Sequence, residues 1–316
     1  MKSLHLPLKP LTGFSSLPHL LPLFPNALLS NLEEWFDIEL TYTSNAIEGN
    51  TLTRAETAMV VEKGITVQGK SLKEHLEATN HAEALDYVKT LVSKNREDID
   101  ESIIREINRI ILSKIEEYNG GIYRSQSARI KGSTAILPNP AKIPQLMAEF
   151  ATWLQITNLD HIVQIAADAH YKLVSIHPFS DGNGRTSRLL MNLILMQAGF
   201  PPAIIRNEDR AAYINSLEKA QTGGDMADFY QVIFDSVDRS IDIYLEALEP
   251  EREIRKETAE EQRFYTTDEV ASLLRVDPES VRRYVRSGQL KAVKLGGKFI
   301  RIEKKDLDTF IESLKK

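Results

Sequence analysis

Residues His177-Pro-Phe-Ser-Asp-Gly-Asn-Gly-Arg-Thr-Ser-Arg188 carry most of the chemistry this sequence offers. Gly182, Asn183 and Gly184 let the backbone turn sharply and aim several N–H groups one way, a nest for anions. A helix starting near Gly184 adds unpaired N-terminal N–H groups and the positive end of its dipole. Arg185 and Arg188, three apart, reach the same side of that helix start. Asp181 is a hard oxygen ligand beside the nest, suited to Mg²⁺ bridging phosphates. His177, at the mouth of the loop, can accept a proton near neutral pH. Together they suit a polyphosphate with a base beside it, since phosphoryl-type chemistry needs mainly positioning and charge neutralisation. The plainer reading is an interhelical turn with a capping aspartate and a core histidine. Seven residue types fixed within twelve positions weigh against it.

The elements that must position this loop are mostly helical. Ile162, Ile165, Ala166, Ala169, Leu173 and Ile176 share one face of a helix expected over Asp160–Ile176, with Asp160 as its N-cap. Thr186–Ala198 is apolar on nearly every side, as a helix central to a bundle should be, and Gly199 with Pro201-Pro202 ends it. Further helices are expected at 31–47, 53–62, 71–94, 98–117, 142–156, 208–220 and 225–248. Residues 120–138 break the helical pattern and read as a β-hairpin or extended flap turning at Gly132-Ser133. Residues 1–30 form a proline-rich arm, and residues 249–261 a charged linker or solvated helix extension.

From residue 262 the texture changes. Thr266 and Glu269 fit a capping box, Pro278 suits the first position of a second helix, and Gly288 stops it. Two strands joined at Gly296-Gly297 and a closing helix complete a small winged helix-turn-helix. Residues 262–316 hold 13 Lys+Arg against 8 Asp+Glu, although the whole chain carries a net charge of -6. An acidic body with a basic tail domain suggests two partners. The chain has no cysteine, which excludes disulfides and cysteine-based metal or nucleophile sites. Five prolines cut the N-terminal apolar stretches, and no run of about 18 apolar residues appears. A cytoplasmic protein with no membrane partner is the expectation.

HPFSDGNGRTSR resembles the signature of the Fic family, H-x-F-x-D/E-G-N-G-R-x-x-R, at every position. GIYRSQSARIKGSTAILPNP is similar to the family's flap, and NEDRAAYINSLEKAQTGGD to the helix that follows the motif. The resemblance covers residues 30–247 and implies a mainly α fold, a helical bundle with a β-hairpin flap. It also implies AMP transfer from ATP to a protein hydroxyl, the target being unknown and self-modification included. His177, Asn183 and Arg185 would be catalytic, with His177 as the base. Gly182, Asn183, Gly184, Arg185, Thr186 and Arg188 would bind the phosphates, Asp181 would hold Mg²⁺, and Phe179 would anchor the loop. Tyr213 and Gln221 would line the adenine pocket, and Gly132, Ser133 and Thr134 would dock the target by strand pairing. Ser44-Asn-Ala-Ile-Glu48-Gly49 matches the family's inhibitory pattern. Ser44 and Glu48 share a helix face, and Glu48 would pair bidentately with Arg188. The family resemblance also implies a homodimer.

The tail resembles excisionase and MerR-type DNA-binding domains. Arg282, Arg283 and Arg286 on its second helix, with Lys294, Lys298 and Arg301 on its wing, would meet DNA phosphates. Other readings stay open at this stage. The tail can serve protein contacts, the nucleotide site can act as a sensor in a DNA-binding regulator, another donor can replace ATP, and Glu48 can support AMP removal.

Overall fold

The computed structural model describes residues 26–116, 118–157, 161–261, 264–295 and 299–314. The chain divides into two compact units, Met1–Leu245 and Glu246–Lys316. The first is helical: α1 (Asn26–Ile47), α2 (Arg54–Lys63), α3 (Leu72–Thr90), α4 (Glu101–Ile111), α5 (Ile143–Ile156), α6 (Ile162–Ile176), α7 (Asn183–Gln197) and α8 (Arg210–Gln221). Helix α9 (Ala227–Glu261) begins in this unit and runs through the charged stretch 249–261, so that stretch takes the helical of its two expected forms. α1 starts five residues before the predicted boundary, because the spacing of Leu28, Leu29 and Leu32 already continues its apolar face. The earlier part of the proline-rich arm lies outside the described residues.

α7 is the hub. It packs chiefly on α6 and also on α4, α3 and α1. Its residues from Asn183 to Leu195 are buried apart from Gly184, which is why the run from Leu189 onward is apolar on nearly every face. α6 presents Val163, Ile165, Ala166, Ala169 and Leu173 to it. Asp160 lies outside the described residues, and His161 occupies the N-cap, its Nδ1 accepting from the Val163 N–H at 3.3 Å. On α4, Ile103, Ile104, Ile107 and Ile111 are buried along one stripe. Asn108 is buried in the same stripe, one turn from Ile104 and Ile111, and faces the motif.

Residues 120–138 hold no strand ladder of their own. Of the two forms the alternation allows, the backbone takes the extended one, turning where Ser133 N–H meets Ile130 C=O at 3.1 Å and Gly132 has φ 80°. A hairpin would spend the Thr134 N–H on a facing strand. Here Glu218 Oε1 accepts it at 2.9 Å instead. The segment's one bridge joins Tyr123 to Phe179 of the motif.

The second unit contains β1 (Phe264–Tyr265), α10 (Thr267–Leu274), α11 (Pro278–Arg286), β2 (Val293–Leu295), β3 (Phe299–Glu303) and α12 (Lys304–Leu314). The strands form an antiparallel sheet in the order β1-β3-β2. The capping box at Thr266 and Glu269 is present, and Gly288 with φ 74° ends the turn after α11. β1, two residues long, is too short for alternation to reveal it. Gly296, Gly297 and Lys298 lie outside the described residues. Val270, Val281, Leu290, Ile302, Leu307 and Phe310 make a separate core. Leu290→Ala is therefore expected to lower the stability of this unit by about 2–5 kcal/mol. In calorimetry only its transition should shift, while that of the first unit stays in place.

Candidate active site

The motif loop is built on an unusual helix end. His177 closes α6 in the left-handed region, φ 51° and ψ 58°, with its N–H on Leu173 C=O at 3.0 Å. A non-glycine residue there costs about 1–3 kcal/mol and persists only when its surroundings over-determine it. The surroundings do so. Arg124 Nε donates to His177 C=O and its backbone N–H to Pro178 C=O, each at 2.8 Å. The Asn183 amide accepts from Phe179 N–H at 3.0 Å and donates to Phe179 C=O at 2.9 Å, while the buried Phe179 ring packs 5.8 Å from Tyr123. Asn108 Nδ2 donates to Asp181 C=O at 3.0 Å and to Thr186 Oγ1 at 3.2 Å, and its Oδ1 accepts from Gly121 N–H at 3.0 Å.

His177 Nδ1 lies 3.3 Å from Val174 C=O. A carbonyl can only accept, so Nδ1 carries the proton and Nε2 of the neutral ring is the acceptor. Burial pushes its pKa down and Arg124 adds to that, against Glu48 and Asp181, which push it up. The net shift is downward, which keeps a base ready at neutral pH.

Beside it, Gly182 is the N-cap of α7 with φ 76° and no side-chain cap, so the first N–H groups of α7 open toward the loop. Arg185 is 2% exposed. It sits 3.6 Å from Glu77 Oε1 and 3.5 Å from Asp181 Oδ1. These are ion-pair distances, too long for hydrogen bonds, and its Nε and NH1 have no hydrogen-bond partner among the described residues. A buried guanidinium left this way is costly and asks for an anion.

Arg188, 5% exposed, is fully engaged. Nε donates to Ser44 Oγ at 3.0 Å, NH2 to Ser44 C=O at 2.9 Å and Glu48 Oε1 at 2.7 Å, and NH1 to Tyr213 OH at 3.3 Å. Burial opposes its charge, but Tyr213 and Glu48 outweigh burial and the net shift is upward. The Glu48 contact uses one oxygen, so the pair is monodentate where the sequence suggests a bidentate one. Glu48 also stands over the helix start: a Cβ on Gly184 would collide with its Oε1. Glu48 lies just past the last turn of α1, which ends at Ile47, and Gly49 with φ 99° makes the turn. α3 holds that turn through Asn50 Nδ2 on Glu74 C=O and Glu77 Oε2, both 3.0 Å, and Thr51 N–H on Glu74 Oε1 at 3.0 Å. The Thr51 hydroxyl, then Ser71 and the Thr51 N–H, donate to the Glu74 carboxyl and hold it down to about 2.

The structure thus gathers His177, Asp181, Gly182, Gly184, Arg185, Arg188, Ser44 and Glu48. Four of the expected site residues have internal partners. The Asn183 side chain closes the loop through Phe179, with its Oδ1 and one Nδ2 hydrogen used there. Thr186 Oγ1 donates to Gly182 C=O at 2.8 Å and is buried against Asn108. Tyr213 is 1% exposed; its hydroxyl lies 2.9 Å from His170 Nε2 and accepts from Arg188. Gln221 is tied to Ser175 Oγ at 3.1 Å. On the flap, Thr134 N–H and Oγ1 both donate to Glu218, while Ser133 Oγ accepts from Ala135 N–H. Arg124, Asn108 and Glu77 escaped the sequence reading because their partners lie far along the chain.

Residues 98–195 match the Fic/DOC family and residues 264–315 a helix-turn-helix domain. A solved fragment of Fic-1 from C. elegans superposes with a TM-score of 0.70 at 32% identity, covering 76% of this chain and 72% of that one. The chain belongs to the Fic/DOC family. Among curated proteins, the protein adenylyltransferase Fic of Aedes aegypti is 42% identical over 223 residues, 70% of this chain and 44% of that protein. The Nematostella vectensis protein of the same name is 44% identical over 206 residues, 65% of this chain and 48% of its own length. This Fic chain therefore spans a little under half of those relatives.

In this Fic site the His177 imidazole is expected to titrate below 6.5, its ordinary value, in heteronuclear NMR. It should titrate lower still in Glu48→Gly, which removes a carboxylate that favours the charged ring. A pKa above 6.5 would mean that Glu48 and Asp181 outweigh burial.

Proposed function

We propose that this chain is a protein adenylyltransferase, held inactive at rest by Glu48. The observation that carries the reading is a neutral His177, with Nε2 free to accept, beside an open helix N-terminus and the unsatisfied Arg185. In the reaction, a target Ser, Thr or Tyr hydroxyl gives its proton to His177 Nε2. Its oxygen bonds the α-phosphorus of ATP, and the bond to the bridging oxygen breaks to release pyrophosphate. Arg185 and the N–H groups of Gly184 and Arg185 stabilise the phosphate oxygens, and Arg188 would meet the γ-phosphate once Glu48 leaves it.

Asp181 suits Mg²⁺: one half-exposed carboxylate, with no cluster of three ligating side chains among the described residues, matches an ion shared with substrate phosphates. When bound, the ion would neutralise charge on the phosphates. Glu48 bears on the resting state because it occupies two anion contacts at once, the Arg188 fork and the space over Gly184. A half-exposed Glu48 engaged through one oxygen also suits AMP removal as a second reading. The flap would dock the target by strand pairing, and a homodimer is part of the proposal by family likeness. No helix among the described residues is long and apolar enough to cross a membrane, and we place the protein in the cytoplasm.

On incubation with α-labelled ATP and Mg²⁺, strong protein labelling is expected for Glu48→Gly, with little for wild type and none for Glu48→Gly/His177→Ala. ATP binding without labelling in any variant would overturn adenylyl transfer in favour of a nucleotide sensor or another donor.

Catalysis belongs in this proposal to residues 31–248, joined by 249–261 to a DNA-binding domain at 262–316. α11 supports DNA contact through three exposed arginines, Arg282, Arg283 and Arg286, although Glu279 pairs with both Arg282 and Arg286. Arg301 NH1 donates to Ile300 C=O at 3.1 Å, Lys294 lies on β2, and Lys298 is outside the described residues. Glu279→Gln is expected to tighten binding to duplex DNA, and Arg282→Ala to weaken it and reduce the salt slope by about 1. Equal affinity of all three proteins in a salt titration would assign the domain to protein contacts.

A further inference from the structure

Arg124 touches none of the anion contacts described so far, and its side chain joins three backbone segments. It is 8% exposed. Its guanidinium donates to three carbonyls from three separate places: Nε to His177, NH1 to Gln126 and NH2 to Pro138, all at 2.8 Å. Its backbone N–H adds Pro178 at 2.8 Å. Gln126 and Pro138 bracket residues 127–137, the flap with its turn at Gly132. His177 is the left-handed residue that ends α6. One planar side chain thus pins both feet of the flap and the backbone of the base. Burial draws its pKa below the ordinary arginine value, and the three carbonyl dipoles are what keep the charge there.

We infer that Arg124 is a positioning residue that couples the flap to the His177 backbone, so that docking of the target and placement of the base depend on one clamp. This rests on reading His177 as the base and the flap as the docking surface. A guanidinium is required because its donors lie in a rigid fork that can serve three directions at once. An ammonium keeps the charge but not the fork. If Arg124 only neutralised charge, lysine would replace it. If it only filled space, glutamine would do nearly as well.

The test compares Arg124→Lys and Arg124→Gln, each in the Glu48→Gly protein. Both are expected to lose about 100-fold in kcat, the scale of a 1 Å misplacement near the chemistry. The KM for a protein target should rise, while binding of a non-hydrolysable ATP analogue changes by less than about twofold, since Arg124 touches none of the anion contacts. Hydrogen exchange, read by mass spectrometry, should quicken together in peptides covering 126–138 and 174–180. Faster exchange in only one of the two, lysine restoring kcat, or nucleotide binding falling in step with kcat would each overturn the clamp. If the Glu48→Gly parent itself transfers no AMP, the adenylyltransferase reading fails, and the exchange measurement still decides the coupling.

Discussion

Two guanidinium groups buried in the first turns of one helix set the terms for the rest of this molecule. A charge taken out of water must find partners of opposite sign or several oriented dipoles, or it destabilises the fold by several kcal/mol. Arg188 finds them at the end of α1: a hydroxyl, a carbonyl and a carboxylate from Ser44 and Glu48. The same helix end receives Arg210, whose Nε donates to Ile47 C=O at 2.8 Å. Two cations therefore meet the negative end of the α1 dipole, where they are most favourable. Arg185 finds less, two carboxylates at ion-pair range and no hydrogen bond for two of its nitrogens. One arginine is satisfied within the chain and its neighbour is left wanting. On the proposed reading, that inequality is what sets a resting site apart from a structural ion pair.

The two charges also dictate what packs beside them. His81 and His170 are buried near Arg188, and burial followed by arginine repulsion drives both imidazoles down to about 3. They are neutral at any physiological pH and act as flat, weakly polar packing pieces. Tyr213 accepts from Arg188 and lies 2.9 Å from His170 Nε2, so the charge meets a hydroxyl backed by a neutral ring. Of the histidines described at this centre, only His177 stands at the loop, with its free nitrogen outside such a chain.

What could be read from the sequence was local. The motif's order of glycine, amide and arginine dictates an open helix start. The apolar periodicity of α6 and the nearly all-round apolar run of α7 reveal the bundle because each helix records its own burial. The capping box at Thr266 is likewise complete within four residues. The clamp at Arg124 was hidden, since it reaches carbonyls 53 residues away at His177 and 14 away at Pro138. Asn108 was hidden for the same reason, meeting Asp181 across 73 residues. Backbone carbonyls carry no mark in a sequence, so an arginine that serves them looks like any surface arginine. The burial of Tyr213 was hidden too, since family position gives the ring's place but not the partners of its hydroxyl. The flap's lack of a ladder turns on Glu218, which lies outside the flap's own stretch of sequence.

The absence of a side chain at Gly184 has a consequence for how such a protein can change over generations. The space over that glycine admits Glu48 Oε1, and a methyl group there would also come within 3.0 Å of Arg188 NH1. On the proposed reading, brake and fuel are read by the same atoms. A substitution in the cradle that excludes one excludes the other, and natural selection cannot adjust the idle rate there without damaging the engine. The adjustable parts lie on the far side, in the turn at Gly49 and its bonds to Glu74. Variation among descendants of this chain can accumulate in that turn and its anchors, while the cradle itself stays fixed.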